Sequence, residues 1–209
     1  LTDFLNTGSG EAETLVCYDL DMWFKPVTLV DNVRVCEYIC ILRFDQPFKI
    51  EAGEFVFLWV PGVGEKPFSA LTNDPFSLVV INVGEFTSQM MTLQPGTRAY
   101  VRGPHGQPVR PPDGAKIVAV AGGTGLAAVY QLACDPGDVE LFIGARTAER
   151  LYFLDEARQV ADVHVATDDG SEGHHGLVTE VLEAWLAGMS AAELGSLAVY
   201  NSGPAPMVH

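Results

Sequence analysis

A glycine-rich loop near the middle of the chain has the residue types and the setting needed to bind a phosphate. Residues 117–121 are continuously apolar, as in a strand buried on both faces, and Gly122-Gly123-Thr124-Gly125 follows them directly. Residues 126–133 then predict a helix, whose N-terminus would supply unpaired N–H groups and a favourable dipole. This arrangement predicts a site for the pyrophosphate of a dinucleotide. A tight turn without a ligand is the alternative, since the loop has neither the Gly-Lys-Ser/Thr of a P-loop nor the complete GxGxxG spacing.

The cysteines and histidines do not form a metal-binding pattern. The chain has four cysteines, Cys17, Cys36, Cys40 and Cys134. Residues 33–44 are rich in Val, Ile, Tyr and Phe, which predicts one strand, and four strand steps would separate Cys36 from Cys40 by about 13 Å, too far for a disulfide. We therefore expect unpaired, buried thiols in a reducing compartment and no metal site. The adjacent pair His174-His175 is interpreted as part of a solvated loop, because no further ligands follow at a suitable spacing.

The order of the predicted elements divides the chain into three parts. Residues 1–24 are expected to form an N-terminal arm or an added strand, and they contain no motif. Residues 25–110 contain short β-rich runs separated by Gly/Pro turns, which predicts a small barrel or sandwich. Residues 111–209 alternate strands with helices, which predicts a parallel sheet. The Pro/Gly-rich segment 106–114 marks the boundary between the second and third parts.

The individual elements follow from local composition. Strands are predicted over residues 33–44, 55–60, 77–83 and 98–102 in the second part, and over residues 117–121, 140–144, 163–167 and 197–201 in the third. Helices are predicted over residues 126–133, 148–160 and 177–186.

The composition excludes several classes of function. The chain of 209 residues carries 27 acidic and 12 basic side chains, a formal net charge of −15, so it would repel nucleic acid. It contains no apolar run long enough to span a membrane and no secretory signal, so we expect a cytoplasmic protein.

The chain begins without Met and ends at His209 shortly after a Gly-Pro turn, which predicts that one or both ends are truncated.

Six motifs occur in the order typical of one superfamily. They are residues 61–69, Gly103-Pro104-His105-Gly106, residues 121–125, Gly144-Ala145-Arg146-Thr147, residues 167–171 and residues 202–207. From about Pro26 to its end the chain resembles the ferredoxin-NADP reductase superfamily, and within it most closely the electron-transfer subunits of dihydroorotate dehydrogenase. The resemblance implies an antiparallel Greek-key β-barrel that binds FAD, followed by a Rossmann-like parallel α/β domain that binds NAD.

The resemblance assigns the flavin site to the second part of the chain. In the family motif a basic residue holds the FAD pyrophosphate, an aromatic or aliphatic side chain lies on the flavin ring and a serine bonds near N5; the matching segment is Lys66-Pro67-Phe68-Ser69. Lysine replaces the usual arginine and lacks its bidentate fork. Val80-Ile81-Asn82 resembles the strand beside the flavin. Phe86 and Thr87 resemble the loop that meets the diphosphate, where Thr87 or Ser88 can cap a helix, and Phe86 stands where glycine is common.

The resemblance assigns the nicotinamide site to the third part. It places Gly122-Gly123-Thr124-Gly125 on the pyrophosphate, Arg146 and Thr147 at the adenosine end, and Gly203 and Pro204 at the nicotinamide. Ser69 and Gly203 are the residues expected beside the reacting atoms. Hydride passes directly between nicotinamide C4 and flavin N5, so binding and orientation matter more than acid–base groups.

These expectations combine into one function with alternatives. The chain is expected to be a subunit of a heteromer in pyrimidine biosynthesis, passing electrons between NAD(H) and a partner dehydrogenase through FAD and a [2Fe-2S] cluster. None of the four cysteines matches the family's cluster site, so either the cluster lies on residues beyond His209, which is the favoured interpretation, or the protein passes electrons without a cluster. The alternatives are a stand-alone NAD(P)H-flavin reductase, the reductase subunit of a hydrogenase or oxygenase, and a non-catalytic subunit without FAD. Arg146 and Arg150 leave the choice between NAD and NADP open, because either could meet a 2′-phosphate.

Overall fold

Two β-sheets organise the residues that the computed structural model describes, which are 24–134, 138–204 and 207. The first sheet is antiparallel and ends at residue 106, and the second is parallel and begins at residue 116. Between them, residues 107–115 contain no helix or strand. The arm predicted over residues 1–24 lies, apart from Phe24, outside the described residues.

The first sheet curves into a barrel. Its strands pair in the order β4-β3-β7-β1-β2-β6-β5, with many neighbours that are not consecutive in sequence, as in a Greek key. Ser69 alone separates the two edge strands, so the edges of the sheet must approach each other there. The antiparallel Greek-key barrel expected from the sequence is confirmed. Its strands are β1 Lys25–Arg34, β2 Ile39–Phe44, β3 Glu54–Val60, β4 Gly64–Phe68, β5 Ala70–Asn73, β6 Phe76–Ile81 and β7 Arg98–Gly106.

The second sheet is the predicted Rossmann-like parallel sheet. Its strands pair in the order β11-β10-β9-β8-β12, and they are β8 Lys116–Gly122, β9 Val139–Ala145, β10 Asp162–Thr167, β11 His174–His175 and β12 Leu197–Ser202. In the described part of the chain, the helices with defined bounds are α1 Glu85–Met90, α2 Gly125–Cys134, α3 Leu154–Ala157, α4 Val178–Ala187 and α5 Ala191–Leu194. Alternate residues of β8 pack towards two different clusters, one containing α2 and one containing Val178 of α4. Both faces of β8 are therefore covered, which explains its continuous apolar sequence.

The region around the first two strands differs from the prediction. Residues 33–44 do not form one strand, because β1 ends at Arg34 and the N–H groups of Val35 and Cys36 donate to the Ile39 carbonyl, closing a turn. The distance expected between Cys36 and Cys40 from a continuous strand therefore does not apply. Both thiols are nevertheless unpaired, and burial raises the pKa of the Cys40 thiol to about 11.

The helix predicted over residues 148–160 is also wrong. Over these residues the structure instead has the 3-10 turn Ala148–Arg150 and then the four-residue helix α3. Phe153 lies between them with a φ of 61°, in the left-handed region that interrupts a helix. Its ring packs edge-on against Tyr130 of α2, with ring centres 5.1 Å apart. Tertiary packing of this aromatic side chain therefore overrides the local helical pattern.

Helix α2 joins the two sheets. Ile39 and Ile41 of β2 and Leu71 of β5 belong to the same buried cluster as Leu126 of α2. The side-chain amide of Gln131, also on α2, donates to the Leu71 carbonyl at 2.8 Å. This shared core fixes the barrel relative to the parallel sheet. No helix in the described part of the chain is long and apolar enough to cross a membrane.

A charged network lies at the start of the parallel strands, at the edge opposite to their carboxyl ends. Glu140 of β9 is 6% exposed and accepts bonds from Lys116 at 2.8 Å and from His164 at 2.6 Å. Burial alone would raise the pKa of the Glu140 carboxyl, but the bonds from Lys116 and His164 outweigh burial and hold this pKa below its ordinary value. The ionised carboxylate is therefore the form that stabilises the fold.

We expect Glu140→Gln to lower the free energy of unfolding at about pH 7 by about 1–3 kcal/mol, because it leaves Lys116 and His164 without the buried carboxylate to which they bond. A carboxyl with a depressed folded-state pKa stabilises the fold above its unfolded pKa, and this contribution disappears as the pH falls through the folded pKa. The difference between variant and wild type should therefore shrink at about pH 3, measured by urea unfolding at both pH values. Glu183→Gln, at an exposed position on α4, is the control with an expected change below about 0.5 kcal/mol. A difference that is the same at both pH values would contradict this account.

Candidate cofactor site

Two loops meet at the carboxyl edge of the parallel sheet. Strands β8 and β12 are neighbours, and the last pair of residues in their ladder is Ala121 and Ser202. The next residues, Gly122 and Gly203, therefore lie side by side where the two loops begin. The strand order reverses here, since β9 lies on one side of β8 and β12 lies on the other. Open α/β sheets bind their ligands at the carboxyl ends of strands where the order reverses. The segments that the resemblance assigned to the pyrophosphate and to the nicotinamide therefore lie together at this edge.

Glycine is required where these two loops touch. A β-carbon built on Gly125 would overlap the backbone carbonyl of Ser202. A β-carbon on Gly122 would lie 2.8 Å from the sulfur of Met207 and 3.0 Å from Cδ of Pro204. The loop after β8 is thus packed directly against the Gly-Pro turn after β12, and a change in one must displace the other.

The glycine loop presents unpaired backbone donors. Within the described chain, the N–H groups of Gly123, Thr124 and Gly125 make no hydrogen bond. Helix α2 begins at Gly125 and has no acidic residue in its first turn. Free N–H groups at the positive end of a helix dipole favour an anion. The loop therefore fits a pyrophosphate.

A cleft of about 390 Å³ opens between the barrel and the parallel sheet. A volume of this size is common for sites that hold small molecules or parts of cofactors. The lining residues are Pro67, Phe68, Ser69, Val79, Ile81, Val83, Thr87, Thr124, Ala127, Ala128 and Ser202. The first seven belong to the barrel part and the last four to the α/β part. The structure thus brings two motifs that are distant in sequence to one cleft.

Phe68 and Ser69 form the barrel wall of the cleft where the barrel closes. The Ser69 hydroxyl makes no hydrogen bond within the described chain, so it is available to a ligand. The Phe86 ring lies beside the Phe68 ring, with centres 6.4 Å apart, and a β-carbon on Gly64 would approach Phe86 to 3.3 Å. Phe86 therefore packs against strand β4 and supports Phe68 from outside the cleft lining.

Strand β6 contributes to the cleft through alternate residues. Val79 and Ile81 line the cleft, whereas the side chain of Val80 is fully buried inside the barrel. Asn82 is half-buried, and its N–H donates to the Tyr38 carbonyl at 2.8 Å. Of the three residues assigned to this strand, only Ile81 therefore presents its side chain to the cleft.

Thr87 organises the loop that precedes α1. Its hydroxyl oxygen accepts N–H bonds from Val83 at 2.9 Å and from Gly84 at 3.0 Å. The predicted capping position is wrong by a few residues, because Gly84 occupies the N-cap and Thr87 is the third helical residue. The Thr87 hydroxyl therefore satisfies two backbone donors and holds this loop at the cleft wall.

Two basic side chains on the assigned motifs remain free of acidic partners. Lys66 and Arg146 are both exposed, and neither forms an ion pair with another described residue. Arg150 instead lies over the ring of Tyr38, 4.9 Å from its centre. Arg146 and the half-buried Thr147 follow the carboxyl end of β9. In a chain with a net charge of −15, two such unneutralised cations are suited to phosphate binding.

Comparisons with known proteins show the family to which the chain belongs. No family model matches the chain. The probable dihydroorotate dehydrogenase B (NAD(+)) electron transfer subunit of Thermococcus kodakarensis is 35% identical over 189 residues, which cover 88% of this chain and 77% of the relative. The chain belongs to the family of dihydroorotate dehydrogenase B electron transfer subunits. The family member from Pyrococcus horikoshii is 40% identical over 161 residues, covering 76% of this chain and 64% of that protein, so the chain spans less than two thirds of its length.

Solved structures show the same fold at lower identity. A ferredoxin NADP+ reductase from Neisseria gonorrhoeae with bound FAD and NADP superposes with a TM-score of 0.73 at 19% identity, covering 88% of this chain and 87% of that one. An NADH-dependent reduced ferredoxin-NADP oxidoreductase superposes with a TM-score of 0.75 at 24% identity, covering 87% and 68%. The resemblance to the ferredoxin-NADP reductase superfamily is therefore confirmed for the fold.

Several site residues were missed by the sequence analysis. Val79, Val83, Ala127 and Ala128 line the cleft, and the period-two alternation of β6 could have identified Val79. The small residues Ala127 and Ala128 lie in the first turn of the helix after the glycine loop, where they leave room for a ligand. Tyr152, which contacts the glycine loop, carried no recognisable signal because its segment was predicted to be helical.

Proposed function

We propose that this chain binds FAD and NAD(H) on opposite walls of one cleft and transfers electrons between them. The observation that carries this proposal is the shared cleft, which has Phe68 and Ser69 on one wall and Thr124 and Ser202 on the other. Family membership supports it, because the relatives are named as NAD(+)-dependent electron transfer subunits. Bound flavin and nicotinamide rings supply the chemistry, a direct hydride transfer between nicotinamide C4 and flavin N5.

The flavin side of the cleft is proposed to use four adjacent residues. Lys66 neutralises the FAD pyrophosphate, Phe68 lies against the flavin ring and Ser69 donates a hydrogen bond near N5. Pro67 restricts the backbone between them. Val80 and Ile81 of β6, and Asn82 directly after it, lie beside the flavin, with Ile81 contributing its side chain. Phe86 and Thr87 shape the wall and the loop that meet the diphosphate.

The nicotinamide side is proposed to use the carboxyl edge of the parallel sheet. Gly122, Gly123, Thr124 and Gly125 hold the pyrophosphate through backbone N–H groups. Arg146 and Thr147 meet the adenosine end, and Gly203 with Pro204 places the nicotinamide. The chain thus contributes binding, orientation and exclusion of water rather than an acid or base.

We propose that the chain acts as a cytoplasmic subunit of a heteromer, with the catalytic subunit of a dihydroorotate dehydrogenase as its partner. The names of the relatives support this partner, and the unpaired thiols of Cys36 and Cys40 support a reducing compartment. A [2Fe-2S] cluster on residues beyond His209 would carry single electrons to the partner. The resemblance alone supports this cluster, and the described cysteines Cys36, Cys40 and Cys134 lie on a turn, on β2 and at the end of α2.

A reconstitution experiment tests the function. The full-length protein, loaded with FAD and with the [2Fe-2S] cluster that the proposal places beyond His209, is mixed with the dihydroorotate dehydrogenase catalytic subunit from the same organism, and NADH formation from NAD+ and dihydroorotate is measured. We expect formation of NADH only when both proteins are present, together with reduction of an artificial dye by NADH with this chain alone. Dye reduction without coupling to the partner would instead support a stand-alone reductase, and a flavin-loaded chain that reduces no dye would contradict the proposal.

A further inference from the structure

Tyr152 connects the segment after the 3-10 turn to the glycine loop. It is 5% exposed, and its hydroxyl donates to the Gly123 carbonyl at 3.0 Å. Burial raises the pKa of the Tyr152 phenol well above its ordinary value, so the hydroxyl remains a proton donor at all physiological pH values. The neighbouring Phe153 packs its ring on α2, which anchors this segment close to the loop.

Gly123 is the flexible point of the loop. Its φ is 57°, and a β-carbon there would meet only Ile81, at 3.8 Å. Glycine populates left-handed and right-handed conformations about equally, so the local sequence does not fix this peptide. The hydrogen bond from Tyr152 is the contact that holds the Gly123 carbonyl, because no other described residue bonds to it.

We propose that Tyr152 is a positioning residue that holds the glycine loop in the conformation able to bind the dinucleotide pyrophosphate. By fixing the Gly123 carbonyl towards the protein interior, it leaves the N–H groups of Gly123, Thr124 and Gly125 free for the phosphates. Ordering the loop before the ligand arrives removes part of the entropic cost of binding. This inference rests on the proposed function, and it adds a residue that neither the motifs nor the cleft lining contain.

Tyr152→Phe removes the hydroxyl and keeps the ring. The matched control is Tyr130→Phe, because Tyr130 is also buried, at 6% exposed, and its hydroxyl interacts with Cys134 rather than with the loop. Two ligands separate positioning from general loosening. ADP-ribose contains the pyrophosphate without the nicotinamide, and reduced nicotinamide mononucleotide contains the nicotinamide without the pyrophosphate.

We expect Tyr152→Phe to raise the Kd for ADP-ribose about five- to tenfold by isothermal titration calorimetry, the loss of one hydrogen bond. The KM for NADH in dye reduction by the FAD-loaded protein should rise by a similar factor. The KM for reduced nicotinamide mononucleotide and the flavin content should stay at wild-type values, as should every measurement on Tyr130→Phe.

Three results would overturn the inference. The first is an unchanged Kd for ADP-ribose in Tyr152→Phe. The second is an equal rise in KM for both reduced ligands, which indicates general loosening. The third is an equal effect of Tyr130→Phe. A wild-type protein that binds no ADP-ribose and oxidises no NADH would overturn the proposed function, and this inference with it.

Discussion

Gly125→Ala is expected to abolish tight NADH binding and to lower the stability of the protein. A β-carbon at this position overlaps the backbone carbonyl of Ser202, and neither backbone segment is a flexible side chain that can move aside. The loop after β8 and the turn after β12 must therefore separate. Overpacking of this kind costs about 1–3 kcal/mol, which corresponds to a fall in Tm of about 2–10 °C. Misplacing both nicotinamide-binding segments should lower kcat/KM for NADH about 100-fold.

Gly188→Ala is the control for this substitution. Gly188 follows α4 with a φ of −81°, and a β-carbon there would lie 3.6 Å from the Trp185 carbonyl, an ordinary contact. We expect a change in Tm below about 2 °C and unchanged kinetics. Differential scanning calorimetry and steady-state dye reduction measure both variants. Wild-type kcat/KM in Gly125→Ala would show that the contact between the two loops is not needed for NADH binding.

Lys66→Glu is expected to raise the Kd for FAD about 100-fold. Lys66 is exposed and has no acidic partner among the described residues, whereas its neighbour Glu65 is paired with Arg102 at 2.6 Å. Reversing the charge beside a pyrophosphate replaces attraction by repulsion over a few ångströms. Lys66→Arg should bind FAD as tightly as the wild type or more tightly, because arginine can hold a phosphate with two parallel bonds. Fluorescence titration of the apoprotein with FAD measures all three proteins.

Lys49→Glu controls for the change in overall charge. Lys49 is exposed in the barrel part of the chain, so the substitution makes the protein equally more acidic at a position outside the cleft lining. Its expected effect on the Kd for FAD is less than about threefold, and this small effect should vanish at high ionic strength. Equal loss of affinity in both glutamate variants would mean that net charge, and not Lys66, governs FAD binding.

The elements of the parallel sheet were the most predictable part of the fold. The sequence of β8 is a continuous apolar run because the strand is buried on both faces. The strand-to-helix turn before α2 is rich in glycine, which is also visible in the local sequence. The turn between β1 and β2 left no such mark, because residues 35–38 contain neither glycine nor proline. Its backbone bonds to Ile39 are visible only in the structure.

The sequence motifs supplied candidate site residues, but the contacts among those residues are visible only in the structure. Lys66, Ser69 and Gly125 could be assigned from the resemblance, because family motifs preserve residue order. The packing of Phe86 on Phe68 and the bond from Tyr152 to Gly123 join elements far apart in the chain, and single-sequence patterns carry no information on such pairs. The left-handed backbone conformation of Phe153 could not be predicted for the same reason, because only its contact with Tyr130, a residue distant in sequence, favours that conformation.

Anaerobic titration of the FAD-loaded chain with NADH tests the central claim, that one cleft holds both the flavin and the nicotinamide. The account predicts that the absorbance of oxidised flavin is lost in proportion to added NADH, with about one NADH consumed per flavin. Gly125→Ala, which leaves Lys66 and Ser69 intact, should keep its flavin, and NADH should reduce that flavin about 100-fold more slowly. A chain that binds FAD stoichiometrically and whose flavin is not reduced by excess NADH would contradict the account.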